Sequence, residues 1–426
     1  MLELNVLRND RDRVISGLKK RNLPESMTEL VGKIVDMDTE RKSIQSKLDI
    51  ELNRLNQLAK EIGLHMKSGN SAEAEKLKVE VSKIKEESKV METSLQELQL
   101  NIESKLIQLP NVPHHSVPVG KDAEDNEVFQ AWDKELPVLE ENAKPHWELA
   151  KDYQVFDMEL GVKISGSGFI LYRKNGARLQ RALINFFLDE AGKAGYEEIG
   201  APLLVNKDSA RGTGQLPDKE SQMYYCDKDD LYLIPTAEVP ITNIYRDVIL
   251  KDSDFPICLT GYTPCFRREA GSYGAHVKGL NRVHQFDKIE IVRIEQAEKS
   301  YESLMLMLEH VKSLLEKLEL PYRILKLCGG DMGFASALTY DFEVYSAAQK
   351  RWLEVSSVSN FETFQTNRMK LRYKNKEGQM QFAHTLNGSA LALARIVASI
   401  LENHQTKDGI KIPKALQAYF GAEFLK

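Results

Sequence analysis

The stretch CFRREAGSYGAHVKGLNRVHQFDKIE, running from Cys265 to Glu290, decides how the second part of the chain is read. It joins two strand candidates, Ile257–Glu269 and Arg282–Ile294, through a glycine-bearing segment that is expected to form a mobile loop. Successive side chains of a strand point to opposite faces. Arg267 and Glu269 are therefore expected on one face, and Phe286, Lys288 and Glu290 together on one face. Such a sheet face offers an arginine fork, an aromatic plate, a lysine and carboxylates. Arginine holds phosphate or carboxylate through paired hydrogen bonds, and an aromatic plate suits a nucleobase. Any one of these residues alone fits a salt-bridged surface hairpin. The whole set on one face does not.

Outward from this stretch, helices alternate with many strands from His146 onward. Arg178–Ala194 reads as a helix, followed by a strand-like run from Glu197 to Val205 that contains Pro202. Further strands are expected at Leu231–Ile234, Tyr340–Val344 and Trp352–Val355. Ile294–Leu318 has helical spacing, and a last long helix is expected from Ser389 to Asn403. Strands linked by turns, with occasional helices, predict an α+β domain: a mixed, mainly antiparallel sheet flanked by helices. Neither G-x-x-x-x-G-K-[ST] nor G-x-G-x-x-G occurs, so the phosphate loops those patterns build are not expected.

The N-terminal third has another texture. Leu30, Ile34, Met37, Ile44, Leu48, Leu55, Leu58 and Ile62 step by threes and fours, with Arg41 and Glu51 interrupting the seam. A second seam runs through Leu77, Val81, Ile84, Met91, Leu95, Leu98 and Ile102, broken only by Ser88. No proline lies between Met27 and Leu109, and Gly63–Asn70 carries turn residues. These features predict an antiparallel coiled-coil hairpin with helices of roughly 35 residues, reaching about 50 Å into solvent. On the arm alone, a dimerising or spacing coiled coil reads as well as a binding arm. Proline-rich Leu109–Pro118 ends the second helix. The expected layout is residues 1–110 as the helical arm domain, 111–145 as a linker and 146–426 as the catalytic domain.

Composition narrows the classes. The 426 residues are 42% hydrophobic and 28% charged, as in a globular protein with a sizeable core. A formal net charge of −5 supplies no global cationic field, so contact with nucleic acid has to come from local patches or shape. No secretory pattern or bilayer-length apolar run is read, which with four scattered cysteines (Cys226, Cys258, Cys265 and Cys328) suits a cytoplasmic protein with reduced thiols and no zinc site.

Phe266-Arg267-x-Glu269, the loop, and Arg282-Val283-His284-Gln285-Phe286-x-Lys288-x-Glu290 resemble motif two of the class II aminoacyl-tRNA synthetases in its seryl form. Arg178–Ala194 with the strand ending near Pro202 is similar to motif one, the dimer-forming element of that class. His384-Thr385-Leu386-Asn387-Gly388-Ser389 through Arg395 resembles motif three. Thr236-Ala237-Glu238, Glu354-Val355-Ser356-Ser357 and the ending from Ile412-Pro413 to Phe420-Gly421 match the same family. The resemblance covers essentially the whole chain. Motif three departs from the usual pattern in carrying Ala390 and Ala394 where glycine is common, and Ala275–Lys278 lacks the acidic and arginine residues of relatives.

The resemblance implies ATP-dependent activation of L-serine and its transfer to serine tRNA, by a homodimer using Mg²⁺. It implies that Arg267 grips the α-phosphate and the serine carboxylate, that Phe286 stacks the adenine, and that Arg282 helps to hold the nucleotide. Arg395 would meet the γ-phosphate, and Glu354 and Ser357 would hold Mg²⁺. The implied ATP site also includes Arg268, Glu269, Val283, Lys288, Val355 and Ser356, with Arg267, Glu269 and Arg395 as its catalytic members. The implied serine pocket takes in Thr236, Ala237, Glu238, Arg267, Glu290, Asn387 and Ser389. Glu354 and Ser357 have opposite strand parity, so sharing a metal requires a bulge between them. His284 and His384 are expected to be structural. A carrier-protein ligase of the same chemistry would lack the arm, and a non-catalytic paralogue would have lost Arg267, Glu290 or Arg395.

Overall fold

The computed structural model describes residues 1–218, 221–270 and 278–426. The loop expected at Gly271–Val277 lies outside the described residues. The chain divides into two compact units: Leu2–Lys19 with Leu23–Pro110, and Met1 with Lys20–Asn22 and Asn111–Lys426.

The first unit is dominated by helix α1, Glu25–Lys67, and helix α2, Ser71–Leu106, of 43 and 36 residues. At 1.5 Å per residue α1 is roughly 65 Å long, more than the sequence suggests. The seam is the expected one: Ile34, Leu48, Leu58, Ile84 and Ile102 are buried along it, and Leu30, Met37, Ile44, Leu55 and Ile62 are half-buried. Arg41 is tolerated on the seam because it pairs at 2.8 Å with buried Asp38, which Arg8 also engages. The connection is shorter than Gly63–Asn70. Helix α1 continues through Gly63 to Lys67, and Ser68–Asn70 alone separate the helices. A solvated glycine costs a helix only about 1 kcal/mol, less than breaking a seam that still seats Ile62. Gly69 makes the turn with φ of +75°.

The second unit is built on an eight-stranded sheet. In chain order its strands are β1 (Glu127–Ala131), β2 (Glu197–Glu198), β3 (Ile257–Phe266), β4 (Gln285–Glu295), β5 (Tyr322–Lys326), β6 (Leu338–Ser346), β7 (Arg351–Asn360) and β8 (His384–Ala392). In space they run β1-β5-β6-β7-β8-β4-β3-β2, antiparallel except for the β2·β3 pair. This is the mixed, mainly antiparallel sheet that the sequence predicts. The run from Glu197 to Val205 is not one strand. It splits into β2 and a two-residue strand of a separate small sheet, with Pro202, which has no N–H to donate, in the gap.

Alternation gives the sheet two characters. Ile289 and Ile291 of β4, Phe342 and Val344 of β6 and Leu386 of β8 point into the main core. Helices Lys174–Lys193, Ser300–Lys317 and Leu393–Asn403 close over that core. The last of these begins at Leu393, four residues later than Ser389 predicts, because Ser389–Ala392 remain in β8. Its buried Ile396, Val397, Ile400 and Leu401 each contribute about 1.5–3 kcal/mol of transfer free energy. The intervening residues, Lys288 and Glu290, Ser357 and Ser359, Asn387 and Ser389, lie on the opposite face, where the candidate site is.

Candidate active site

A cavity of about 470 Å³ opens on that polar face. Its floor comes from β4. Glu290, almost wholly buried, is bound by Lys288 Nζ at 2.6 Å and by Asn387 Nδ2 at 3.0 Å. Thr236 donates its hydroxyl to the same carboxylate at 3.2 Å and accepts from Lys288 Nζ at 2.8 Å. A buried ion pair is stable only when its remaining lone pairs and protons are satisfied, and Thr236 and Asn387 do that here. Both Glu290 oxygens are thereby fixed at the cavity wall.

Glu238 stands beside this pair, buried, and Gln365 Nε2 donates to it at 2.6 Å. Burial, and then the charge of Glu290, push the Glu238 carboxyl up to about 7. Burial and the nearby Glu354 charge likewise hold Asp341 well above the usual carboxylate range.

Arg267 follows β3. Its Nε donates to Pro235 O at 3.2 Å, and its guanidinium lies 5.2 Å from the Phe286 ring centre. The expected shared face of Arg267 and Glu269 arises without a continued strand. β3 ends at Phe266, and Glu269 takes a left-handed conformation with φ of +48°. Both residues still line the cavity, where Glu269 accepts from Arg282 NH1 at 2.8 Å. The segment after the loop is pinned from behind. Leu280 N donates to His146 Nε2 at 2.8 Å, which leaves the ring proton on Nδ1, 2.6 Å from buried Glu402. Gly279, with φ of +69°, is required there, since a Cβ would stand 2.2 Å from His146 Nε2.

The far wall is β7 and the start of the last helix. Phe342 pairs with Ser356 but Glu343 pairs with Glu354, so Val355 is an extra residue in β7. This bulge resets the parity and lets Glu354 and Ser357 both line the cavity. Ser356 donates to Ser389 O at 2.6 Å. Arg395 bonds Asn281 O at 3.0 Å and Glu354 O at 2.5 Å, and its NH1 lies 3.4 Å from the Glu354 carboxylate.

The cavity gathers Thr236, Glu238, Arg267, Glu269, Arg282, Val283, Phe286, Lys288, Glu290, Glu354, Val355, Ser356, Ser357, Asn387, Ser389 and Arg395. Two residues of the expected set are elsewhere. Ala237 is buried in a small core with Ile241, Leu259 and Val292, and the Arg268 guanidinium lies over Tyr224 at 5.7 Å. His284 and His384 hold structure: His284 Nδ1 meets Tyr224 OH at 2.8 Å, and His384 Nδ1 meets Ser300 Oγ at 2.8 Å. The sequence reading missed Gln215, Gln222, Asn281 and Phe361, which also line the cavity. Asn281 was within reach, being the neighbour of Arg282.

Comparison with known proteins finds relatives along essentially the whole chain. A family model described as the seryl-tRNA synthetase N-terminal domain matches residues 1–113, and one described as the class II tRNA synthetase core domain (G, H, P, S and T) matches residues 224–404. The serine–tRNA ligase of Salinibacter ruber is 49% identical over 99% of this chain and 98% of its own length. That of Akkermansia muciniphila is 43% identical, over 100% and 99%. Among solved structures, the seryl-tRNA synthetase of Pyrococcus horikoshii complexed with ATP superposes with a TM-score of 0.94 at 33% identity, covering 99% of both chains. The cytoplasmic serine–tRNA ligase of Naegleria fowleri in complex with AMP gives 0.88 at 25% identity, covering 100% and 99%. With relatives this similar over their full length, a sheet face carrying the arginines and Glu290, and an N-terminal helical hairpin, the chain belongs to the seryl-tRNA synthetase family.

Proposed function

We propose that this protein activates L-serine with ATP, forming seryl-adenylate and pyrophosphate, and passes the seryl group to the 3′ end of serine tRNA. The observation that carries the reading is Glu290, fixed by Lys288, Thr236 and Asn387 a short way along the same face from Phe286 and Arg267. A carboxylate held in that way accepts hydrogen bonds from a small hydroxylated ammonium substrate. The aromatic ring and guanidinium beside it suit adenine and an α-phosphate.

The serine carboxylate attacks the α-phosphorus and pyrophosphate departs in line with it. Such a displacement needs alignment and charge neutralisation more than acid–base chemistry. Arg267 bridges the serine carboxylate and α-phosphate. Phe286 stacks the base, with Arg282, Glu269, Val283, Val355 and Ser356 around the nucleotide, and Arg395 meets the γ-phosphate. Thr236, Glu238, Asn387 and Ser389 enclose the serine with Glu290. Lys288 acts through Glu290, whose charge it balances.

Glu354 and Ser357 would hold Mg²⁺ with the nucleotide. The donor set fits a hard cation that takes oxygen ligands, and the bulge at Val355 brings both residues to the cavity. When bound, the ion neutralises phosphate charge and draws electron density toward the leaving pyrophosphate. The helical arm reads the tRNA, a second copy of the chain completes a homodimer through the element around Lys174–Lys193, and the enzyme works in the cytoplasm. Among the described residues, no helix is long and apolar enough to cross a membrane. Serine-dependent exchange of pyrophosphate into ATP tests the reading. Exchange is expected with serine and not with alanine or threonine, and its absence with serine would overturn the assignment.

A further inference from the structure

Behind the Glu354–Ser357 wall lies a half-buried acid that the reaction described above does not use. Asp341 of β6 pairs in register with Ser357 of β7. Cross-strand partners share a face, so Asp341 lies on the functional side of the sheet, with its carboxyl group beside the Ser357 side chain. Its Oδ1 is buried and has no hydrogen-bond partner. The charged groups that bear on it, Glu354, Asp331 and Glu343, are all acidic. Among the described residues no ion pair includes Asp341. Its acidic neighbours have partners: Glu343 has Arg323, Glu354 has Arg395 and Asp331 has Asn126.

An unpaired buried carboxylate oxygen is costly and calls for an explanation. Protonation at the other oxygen removes the charge but still leaves Oδ1 without a donor. Packing does not supply one either, since an apolar residue would fill the space at lower cost. What this placement does achieve is directional. A Ser357 hydroxyl that donates toward Asp341 turns its oxygen lone pairs to the cavity, with an acidic group directly behind it.

We propose that Asp341 is a positioning residue for the divalent cation. It orients Ser357 as a neutral oxygen ligand and, when a cation's charge is present to favour its ionised form, adds from behind the ligands the negative charge that Ser357 lacks. The inference rests on the reading of Glu354 and Ser357 as the metal-holding pair. Groups behind metal ligands change metal affinity by about 10–100-fold when removed. Asparagine keeps the shape and the acceptor toward Ser357 but removes the charge, so Asp341→Asn isolates the electrostatic part.

The test uses the full-length protein with ATP. Mn²⁺ binding is followed by the loss of the free-ion electron paramagnetic resonance signal, and thermal unfolding is measured with and without Mn²⁺. Asp341→Asn is expected to weaken Mn²⁺ binding about tenfold or more, to leave serine affinity unchanged, and to unfold without metal at the wild-type temperature or above it. Glu354→Gln and Ser357→Ala are measured in parallel. If those two weaken Mn²⁺ binding and Asp341→Asn does not, Asp341 has no part in the site and the proposal is wrong while the metal reading stands. If Asp341→Asn lowers the metal-free unfolding temperature, the residue is structural and the proposal is also wrong. If none of the three affects Mn²⁺, the metal reading itself fails and takes the proposal with it.

Discussion

Gln365 Nε2 donates to Glu238 Oε1 across 2.6 Å from a side chain that is itself held at both ends. The same nitrogen reaches Thr213 O at 3.1 Å, and Gln365 Oε1 accepts from Thr385 Oγ1 at 2.7 Å. These contacts fix which way the amide points, and so they present a donor to Glu238. Burial, and then the charge of Glu290, push the Glu238 carboxyl up to about 7 and so disfavour its charged form before substrate enters. A serine ammonium favours the charged carboxylate. Binding below that value must therefore expel a proton, and binding above it need not. Serine affinity in the exchange reaction is expected to fall as pH drops below about 7, approaching tenfold per unit. Glu238→Gln should flatten that limb. A variant whose serine KM keeps the same acid limb would show that another group titrates.

Gln365 itself should matter for the same reason. A hydrogen bond to a charged group is worth about 1.5–3 kcal/mol. Gln365→Leu is therefore expected to raise the serine KM at neutral pH by roughly ten- to a hundredfold and to move the acid limb upward. The KM for ATP should stay near wild type, since Gln365 does not line the nucleotide side of the cavity. Equal losses for both substrates would mark a general packing defect.

Neither Gln365 nor Asp341 was legible in the sequence, and the reason is physical. Gln365 meets Glu238 across 127 positions, and Asp341 meets Ser357 only through the β6–β7 register. Neither relation leaves a local pattern. Lys288 and Glu290 could be read because a strand repeats every two residues. The helical seam was legible for the same kind of reason, at a period near 3.5. The parity conflict between Glu354 and Ser357 pointed to a bulge, although the sequence did not say that Val355 was the extra residue. Ser389–Ala392 was misread as helix because a short run of small and apolar residues fits a buried strand equally well.

Glu290→Ala should do more than erase serine recognition. It leaves Lys288 buried without its partner, and breaking a buried pair costs roughly 3–5 kcal/mol. Denaturant unfolding should therefore show a large loss of stability beside the loss of exchange. Glu290→Gln keeps an acceptor for Asn387 and should lose serine activation with a smaller stability change. In the wild type, a pocket built around a hydroxyl rejects an analogue lacking it by about 10⁴–10⁵ in kcat/KM. Alanine activated within tenfold of serine would remove Glu290 from that role.

Arg267→Ala should abolish adenylate formation while leaving a folded protein. The guanidinium is only half-buried, and the contacts it gives up are the Pro235 carbonyl and the Phe286 ring. Circular dichroism and unfolding should stay cooperative, and ATP binding should weaken with the loss of stacking support at Phe286. Normal pyrophosphate exchange in this variant would place the α-phosphate elsewhere.

The arm allows a cleaner separation of activities. Arg54 of α1 pairs with Glu80 of α2, which marks the antiparallel register held by the apolar seam. Residues whose numbers sum to about 134 therefore lie opposite one another, so Ile44 and Val90 can be rejoined by a short glycine–serine turn without breaking the seam below them. The removed part carries Lys47, Arg54, Lys60 and Lys67 on α1 and Lys76, Lys78, Lys83, Lys85 and Lys89 on α2. Glutamates interleave with them, so this is a surface for shape and backbone contacts with a structured RNA rather than for base-edge readout. Every residue assigned to the adenylate site lies beyond His146, so serine-dependent exchange should persist in the shortened enzyme. Charging of tRNA should collapse, and in the intact enzyme tRNA affinity should fall steeply with added salt as phosphate contacts release counterions. A shortened enzyme that charges serine tRNA as well as the intact one would make the distal arm a spacer.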